Sequence, residues 1–166
     1  MSDSVRSALT LLTLSAICLL AVMWGWQAAT EPLPSEDPPP LCTERTIPAG
    51  EKVFTDQVAV SVFNGSTRNG LAGTTLEKLV ARGFVAADSD NAPKQVKTVE
   101  IWSDEPRNAA VRLVARQFKG AKIVSGPELG RGVNVVVGAA FKDLRKKDVE
   151  SVTAVADSTF CSPGGS

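Results

Sequence analysis

The spacing of apolar and polar positions divides the chain into regions with different periods. From Ser7 to Thr30 no residue is charged. The core of that run, Ala8 to Trp26 (ALTLLTLSAICLLAVMWGW), approaches the roughly 20 residues that a helix needs to cross a hydrocarbon layer about 30 Å thick. Trp24 and Trp26 stand at its far edge, where indole rings favour the headgroup zone. Arg6 precedes the run, while Glu31, Glu36 and Asp37 follow it, which predicts a cytoplasmic N-terminus. The competing reading is a cleaved secretory signal, whose apolar region of about 7–15 residues normally ends in a small-x-small site. Here Trp-Gly-Trp-Gln stands in that place, so we read an anchor.

Beyond residue 56 the periods shorten. Val58, Val60 and Val62 alternate with Ala59, Ser61 and Phe63, a strand with both faces partly apolar. Turn signals at Asn64-Gly65-Ser66 and Asn69-Gly70 lead into a helix from Leu71 to Arg82, with Ala72, Leu76, Leu79 and Val80 on one side and Gly83 to end it. Residues 84–87 predict a short strand, 88–93 (DSDNAP) a polar turn, and Val96–Trp102 another strand. Asp104 is placed to cap a second helix, with Pro106 in its first turn, running to Phe118. Strands at Lys122–Ser125 and Val133–Val137 complete the order β-α-β-β-α-β-β. This predicts an α+β fold: two helices packed on one face of a four- to five-stranded, largely antiparallel sheet, ferredoxin-like βαββαβ plus a strand. Leu144, Val149, Val152 and Val155 have helical spacing, so a short helix is expected in the tail. The expected organisation is residues 1–7 as a short N-terminus, 8–28 as the transmembrane helix, 29–41 as a linker, 42–56 as a lead-in, 57–141 as the α/β domain and 142–166 as a tail.

Composition narrows the chemistry. The chain is 43% hydrophobic and 22% charged, and its 18 basic and 18 acidic residues cancel, so no net charge draws it to nucleic acid. It has no histidine, the commonest general base and metal ligand. With three cysteines besides, no zinc site of the usual kind can be assembled, and no cofactor is expected. Residues 30–40 (TEPLPSEDPPP) hold five prolines and three acids, an extended spacer. Cys42 and Cys161 flank the predicted domain beyond the apolar run, which suggests a disulfide in an oxidising compartment. Closing so long a loop is worth up to roughly 4–5 kcal/mol. Two free thiols, or pairing with another protein, are the alternatives. Cys18 reads as an apolar filler, and there is no C-x-x-C.

Gly65 and Gly70 have the GxxxxG spacing of a phosphate loop, yet Leu71 and Ala72 stand where Lys and Ser/Thr are required. The nucleotide reading fails. What survives is an anion or glycan contact built from Asn64, Gly65, Ser66, Arg68 and Asn69, set against a plain structural turn. Arg112, Arg116 and Lys119 fall within about 60° on a helical wheel, opposite the apolar arc. They form either a basic stripe for a wall polymer or a solvated face. Trp102 is a candidate for stacking on a sugar or for packing. Ser66, Thr67, Thr74 and Thr75 offer hydroxyls with no histidine to activate them, and Asp88, Asp90, Asp104 and Glu105 are loop carboxylates with no assigned pairing. Arg145-Lys146-Lys147 reads as solvated tail.

Several of these segments carry a resemblance. VFNGS (62–66), NGLA (69–72) opening a helix, ARGF (81–84) and VNVVVGAAF (133–141) follow one another as in the LytR C-terminal domain family, which this chain resembles over about 57–141. The resemblance implies a cell-envelope role without an established catalytic activity. In larger members this domain follows a phosphotransferase domain that attaches glycopolymers to peptidoglycan. This chain has no room for that domain, so its active site is not carried over. The function expected is a non-catalytic, single-pass membrane protein with an extracytoplasmic domain. It would support envelope integrity by binding wall polymer or assisting its attachment to peptidoglycan. The alternative is an adaptor for membrane-bound envelope-assembly enzymes, docking through a sheet face or through Val58–Phe63 as an edge strand.

Overall fold

The computed structural model describes residues 3–30 and 43–163. Contacts divide the chain into two units, one ending at Pro39 and one from Pro40 onward. In the first, α1 (Asp3–Thr30) is a continuous helix of 28 residues. Its stretch Leu9–Trp26 has a mean hydropathy of 2.0 and is long and apolar enough to cross a membrane. The hydroxyls in this stretch are internally satisfied, as lipid requires. Thr13 Oγ1 donates to the carbonyls of Leu9 at 3.1 Å and Thr10 at 3.0 Å, and Ser15 Oγ to that of Leu12 at 2.9 Å.

The second unit is built on a five-stranded sheet. Its strands are β3 (Ala59–Gly65), β4 (Val85–Asn91), β5 (Glu100–Trp102), β6 (Lys122–Val124) and β7 (Val133–Gly138), in the spatial order β4-β3-β7-β5-β6. Helix α2 (Leu71–Val80) connects β3 to β4, and α3 (Ala109–Ala115) connects β5 to β6. The α+β class holds, with α2 and α3 in one core over Val60, Val62, Val133, Val135 and Ile101. A smaller cluster joins Phe63, Trp102 and Val136, on strand positions that alternate with these, to Val96 in the loop before β5.

The pairing departs from the largely antiparallel, ferredoxin-like expectation. β3–β4, β3–β7 and β5–β6 are parallel, and only β5–β7 is antiparallel. Each helix returns the chain to the end where it started, so the strands it joins run the same way. Here those strands are direct neighbours, and the last strand, β7, enters between the two βαβ units. Its residues VNVVVG are buried throughout, as a central strand requires.

Three local expectations are corrected for related reasons. The polar turn at 88–93 is largely strand, because β4 lies at the sheet edge where Asp88, Ser89 and Asp90 meet water. The second helix starts later and ends earlier than 104–118. Asn108 caps it, its side chain accepting from the Ala110 N–H at 3.0 Å, while Asp104 instead accepts from the Ser125 hydroxyl. The expected tail helix is absent: β8 (Ser151–Thr153) pairs antiparallel with β2 (Lys52–Phe54), and β9 (Ser158–Ser162) with β1 (Thr43–Ile47). Val152, Ala154 and Phe160 are buried at a strand period, and Val155, assigned to the helical stripe, is 58% exposed. A 3-10 turn, Thr55–Gln57, leads from β2 toward β3. Lead-in and tail therefore complete the core beside α3.

Candidate functional site

The loop between β3 and α2 holds most of the residues that sequence singled out, and the structure closes it on itself. Asn64 Oδ1 accepts from the Ser66 N–H at 3.0 Å and from the Ser66 hydroxyl at 2.8 Å, while its Nδ2 donates to the Arg68 carbonyl at 2.7 Å. Ser66 Oγ in turn accepts from the Arg68 N–H at 3.1 Å. Arg68 Nη1 donates to the Phe141 carbonyl at 2.6 Å, so the guanidinium ties the loop to the exit of β7. Gly65 is buried opposite Gly138 in the β3–β7 register. A Cβ at Gly65 would lie 2.8 Å from side-chain carbons of Val96 and Val136; one at Gly138 would collide with the carbonyl oxygens of Thr98 and Val96. Thr67 and Asn69 are exposed and take no part in this lattice of bonds. The arrangement is that of a structural turn.

Helix α3 ends at Ala115; Arg116, whose N–H still donates to the Arg112 carbonyl at 3.1 Å, and Lys119 lie exposed in the turn beyond it, and Arg112 Nη1 reaches the Thr153 carbonyl at 3.4 Å. Arg145 is exposed but tied to the fold: its Nε donates to the Phe118 carbonyl at 2.9 Å and its N–H to that of Gln117 at 2.8 Å. Trp102 is only 4% exposed. Gly126 packs against its ring, Lys94 Nζ sits 4.9 Å from the ring centroid, and its Nε1 donates to Glu100 Oε2 at 3.0 Å, so no ring face is left for a sugar. The Thr74 and Thr75 hydroxyls bond to the carbonyls of Gly70 and Leu71, at 3.0 and 2.7 Å. The strand proposed as a docking edge, Val58–Phe63, is interior, since β3 lies between β4 and β7.

Among the hollows of this unit, one of about 480 Å³ opens between the β5–α3 connection, the segment entering β7, and the β1–β9 ribbon. It presents the carboxylates of Glu44, Asp104, Glu105 and Glu128 against the single guanidinium of Arg131. Arg131 Nε is itself 4.0 Å from Asp88, and no ion pair among the described residues neutralises the other four acids. A smaller one, about 210 Å³, is bordered by Thr98, Lys119, Phe141, Lys142 and Asp143. There the hydrogen bond from Lys78, at 2.9 Å, and then the Leu144 N–H hold the Asp143 carboxyl below the usual carboxylate range. No cluster of residues that could hold a metal ion occurs among the described residues.

Residues 57–141 match the family described as LytR cell envelope-related transcriptional attenuator. That span is just over half of the chain. The chain belongs to the LytR C-terminal domain family. No curated protein matches it. Among solved structures, the soluble domain of a conserved hypothetical secreted protein from Mycobacterium marinum is similar, with 18% identity and a TM-score of 0.45, over 60% of this chain and 78% of that one.

Within this LytR C-terminal domain, the residues that sequence reasoning missed are those that hold the two helices to the tail. Gln117 has no exposed surface. Its Oε1 accepts from Arg82 Nη1 at 2.9 Å, and its Nε2 donates to the Val149 carbonyl at 2.7 Å. Arg82 Nη2 also donates to the Arg145 carbonyl and lies 3.2 Å from Asp148. A polar residue at the end of an apolar arc is the signal that could have found Gln117. The cleft acids gave no such signal, because Glu44 and Glu128 are 84 positions apart in sequence. Cys42 lies outside the described residues, and its expected bridge to Cys161 lies there with it. Cys18 is a free, exposed thiol.

Proposed function

We propose that this LytR C-terminal domain protein is a non-catalytic, single-pass membrane protein that supports cell-envelope integrity. In this reading α1 anchors it with the N-terminus cytoplasmic, the folded unit is extracytoplasmic, and it acts chiefly as an adaptor for membrane-bound envelope-assembly proteins. The observation that carries the adaptor over direct capture of an anionic polymer is the placement of charge. Arg68, Arg82 and Arg145 are engaged in holding the fold, whereas the larger cleft is lined by four acids, of which Glu44 and Glu128 have no hydrogen-bonded side-chain partner among the described residues. Such a surface repels phosphate- or carboxylate-bearing chains and attracts a basic segment of a partner. The same arrangement of anchor, acidic proline-rich linker, cysteine and domain resembles the actinobacterial cell-envelope integrity protein Cei. The lack of histidine in the whole sequence and the engagement of Thr74 and Thr75 by backbone carbonyls support the non-catalytic reading. A Cys42–Cys161 bridge belongs to the same proposal. Its support is the register Thr43↔Ser162, which brings the neighbours of both cysteines side by side, and Cys161 is not a free thiol.

The test is photo-crosslinking from position 128 in intact cells, run beside cosedimentation of the purified protein with cell walls. A salt-sensitive protein adduct without wall pelleting is expected. Saturable pelleting that disappears when secondary polymer is stripped from the walls, with no protein adduct, would overturn the adaptor. A second reading, wall-polymer contact, is favoured by one observation: Lys119 and Lys142 border the smaller hollow together. It predicts that Lys119→Glu with Lys142→Glu abolishes pelleting.

A further inference from the structure

The loop between β3 and α2 contains two Asn-Gly pairs, Asn64-Gly65 and Asn69-Gly70. In such a pair the glycine has no Cβ to shield its amide nitrogen from the preceding side chain. The fold treats the two differently. Asn64 is held at both ends of its amide by Ser66 and Arg68, and Gly65 is buried in β3, its carbonyl accepting from the Val96 N–H at 2.8 Å. Asn69 and Gly70 are both exposed. A Cβ built at Gly70 would meet nothing within 4 Å, so the space beside its main chain is open. The Gly70 carbonyl starts α2 by accepting from the Thr74 N–H at 3.0 Å, which leaves its nitrogen outside the helical ladder.

We infer that Asn69 is a site of spontaneous deamidation and that Asn64, five residues earlier in the same loop, is protected by the fold. The Gly70 nitrogen loses its proton to solvent base and attacks Asn69 Cγ, forming a C–N bond. The bond from Cγ to the side-chain nitrogen breaks, and that nitrogen leaves as ammonia after taking a proton from solvent. Water then opens the five-membered succinimide. Opening at Cγ gives aspartate; opening at the main-chain carbonyl leaves the Gly70 nitrogen on the former side chain and gives isoaspartate. One water is consumed, one ammonia is released and nothing is oxidised. Either product places a carboxylate just before the first turn of α2, where the positive end of the helix receives it. The isoaspartate form also adds a methylene to the main chain between Arg68, which is tied to Phe141, and the helix.

The sequence supplies its own control, because trypsin cleaves after Arg68 and separates the pairs into the peptides Val53–Arg68 and Asn69–Lys78. The full-length protein in detergent would be aged at mildly alkaline pH, quenched, digested and followed by mass spectrometry. Peptide Asn69–Lys78 should gain the mass of NH2 replaced by OH about tenfold faster than Val53–Arg68 in the folded protein, and at a comparable rate once urea has unfolded it. No gain in Asn69–Lys78, equal gains in the folded protein, or the same disparity after unfolding would each overturn the inference.

Discussion

The loop at 64–70 and the acidic cleft are opposite kinds of surface. The loop is rich in polar groups, yet nearly all of them are consumed within it: Asn64, Ser66 and Arg68 bond to one another and to Phe141. In the cleft, Asp104 and Glu105 accept from Ser125 and Asn108, whereas Glu44 and Glu128 have no hydrogen-bonded side-chain partner among the described residues. Polar residues gathered by sequence tend to satisfy one another, because their closeness makes the bonds cheap in entropy. Glu44 and Glu128, gathered by folding from distant segments, have no such partner and stay available to a second molecule. A short motif of hydrogen-bonding side chains is therefore weaker evidence for a ligand than it looks.

The comparison can be broken at several points. The largest effect is expected at the floor of the loop, where Gly138→Ala drives a Cβ into the carbonyls of Thr98 and Val96. It should cost about 3 kcal/mol by urea unfolding; a loss below about 1 kcal/mol would mean that the loop rests on a yielding base. Next comes Arg68→Ala, which removes a charge-assisted bond to Phe141. A stability loss of about 1.5 kcal/mol with unchanged partner capture is expected. The reverse pattern would make Arg68 a contact residue after all. Glu44→Lys combined with Glu128→Lys should lower pull-down of the partner by the purified protein about tenfold, equivalent to about 1.4 kcal/mol, while thermal unfolding shifts by less than about 0.5 kcal/mol. Capture that survives both reversals would remove the cleft from the proposal. The smallest effect concerns Asp143, whose carboxyl is held low by Lys78 and the Leu144 N–H. A depressed acid stabilises above its unfolded range and loses that contribution as pH falls through its folded value. Asp143→Asn should therefore flatten the acid side of the stability profile slightly and leave neutral pH nearly unchanged, since the group is exposed.

How much of this was legible follows from the range of the interactions involved. Periodicity located α2 nearly to the residue and placed β3, β6 and β7, because apolar alternation and Gly83 report local geometry. It also found the apolar helix at the N-terminus. Strand order was not legible: nothing local to Val133–Gly138 says that it enters between β3 and β5. The strand through Asp88 and Asp90 was read as a turn because edge position, a tertiary property, is what makes those residues acceptable there. The tail misled because Leu144 and Val149, outside any helix or strand, and Val152, in β8, all join the one core while mimicking one helical stripe. At the candidate site, sequence identified the bonded loop and overlooked the cleft, whose acids come from segments dispersed along the unit.

The pairing of β1 with β9 has a consequence for the order of events in synthesis. Thr43 meets Ser162 and Ile47 meets Ser158, so the first strand of the unit is matched by the last. A ribosome delivers β1 more than a hundred residues ahead of its partner. Until β9 emerges, β1 has a free edge, and one wall of the acidic cleft, carrying Glu44 and Phe160, does not exist. The central sheet can form earlier, since its strands end at Gly138. Non-local closure of this kind is slow relative to helix formation. The cleft is thus assembled last, once the whole unit has been made.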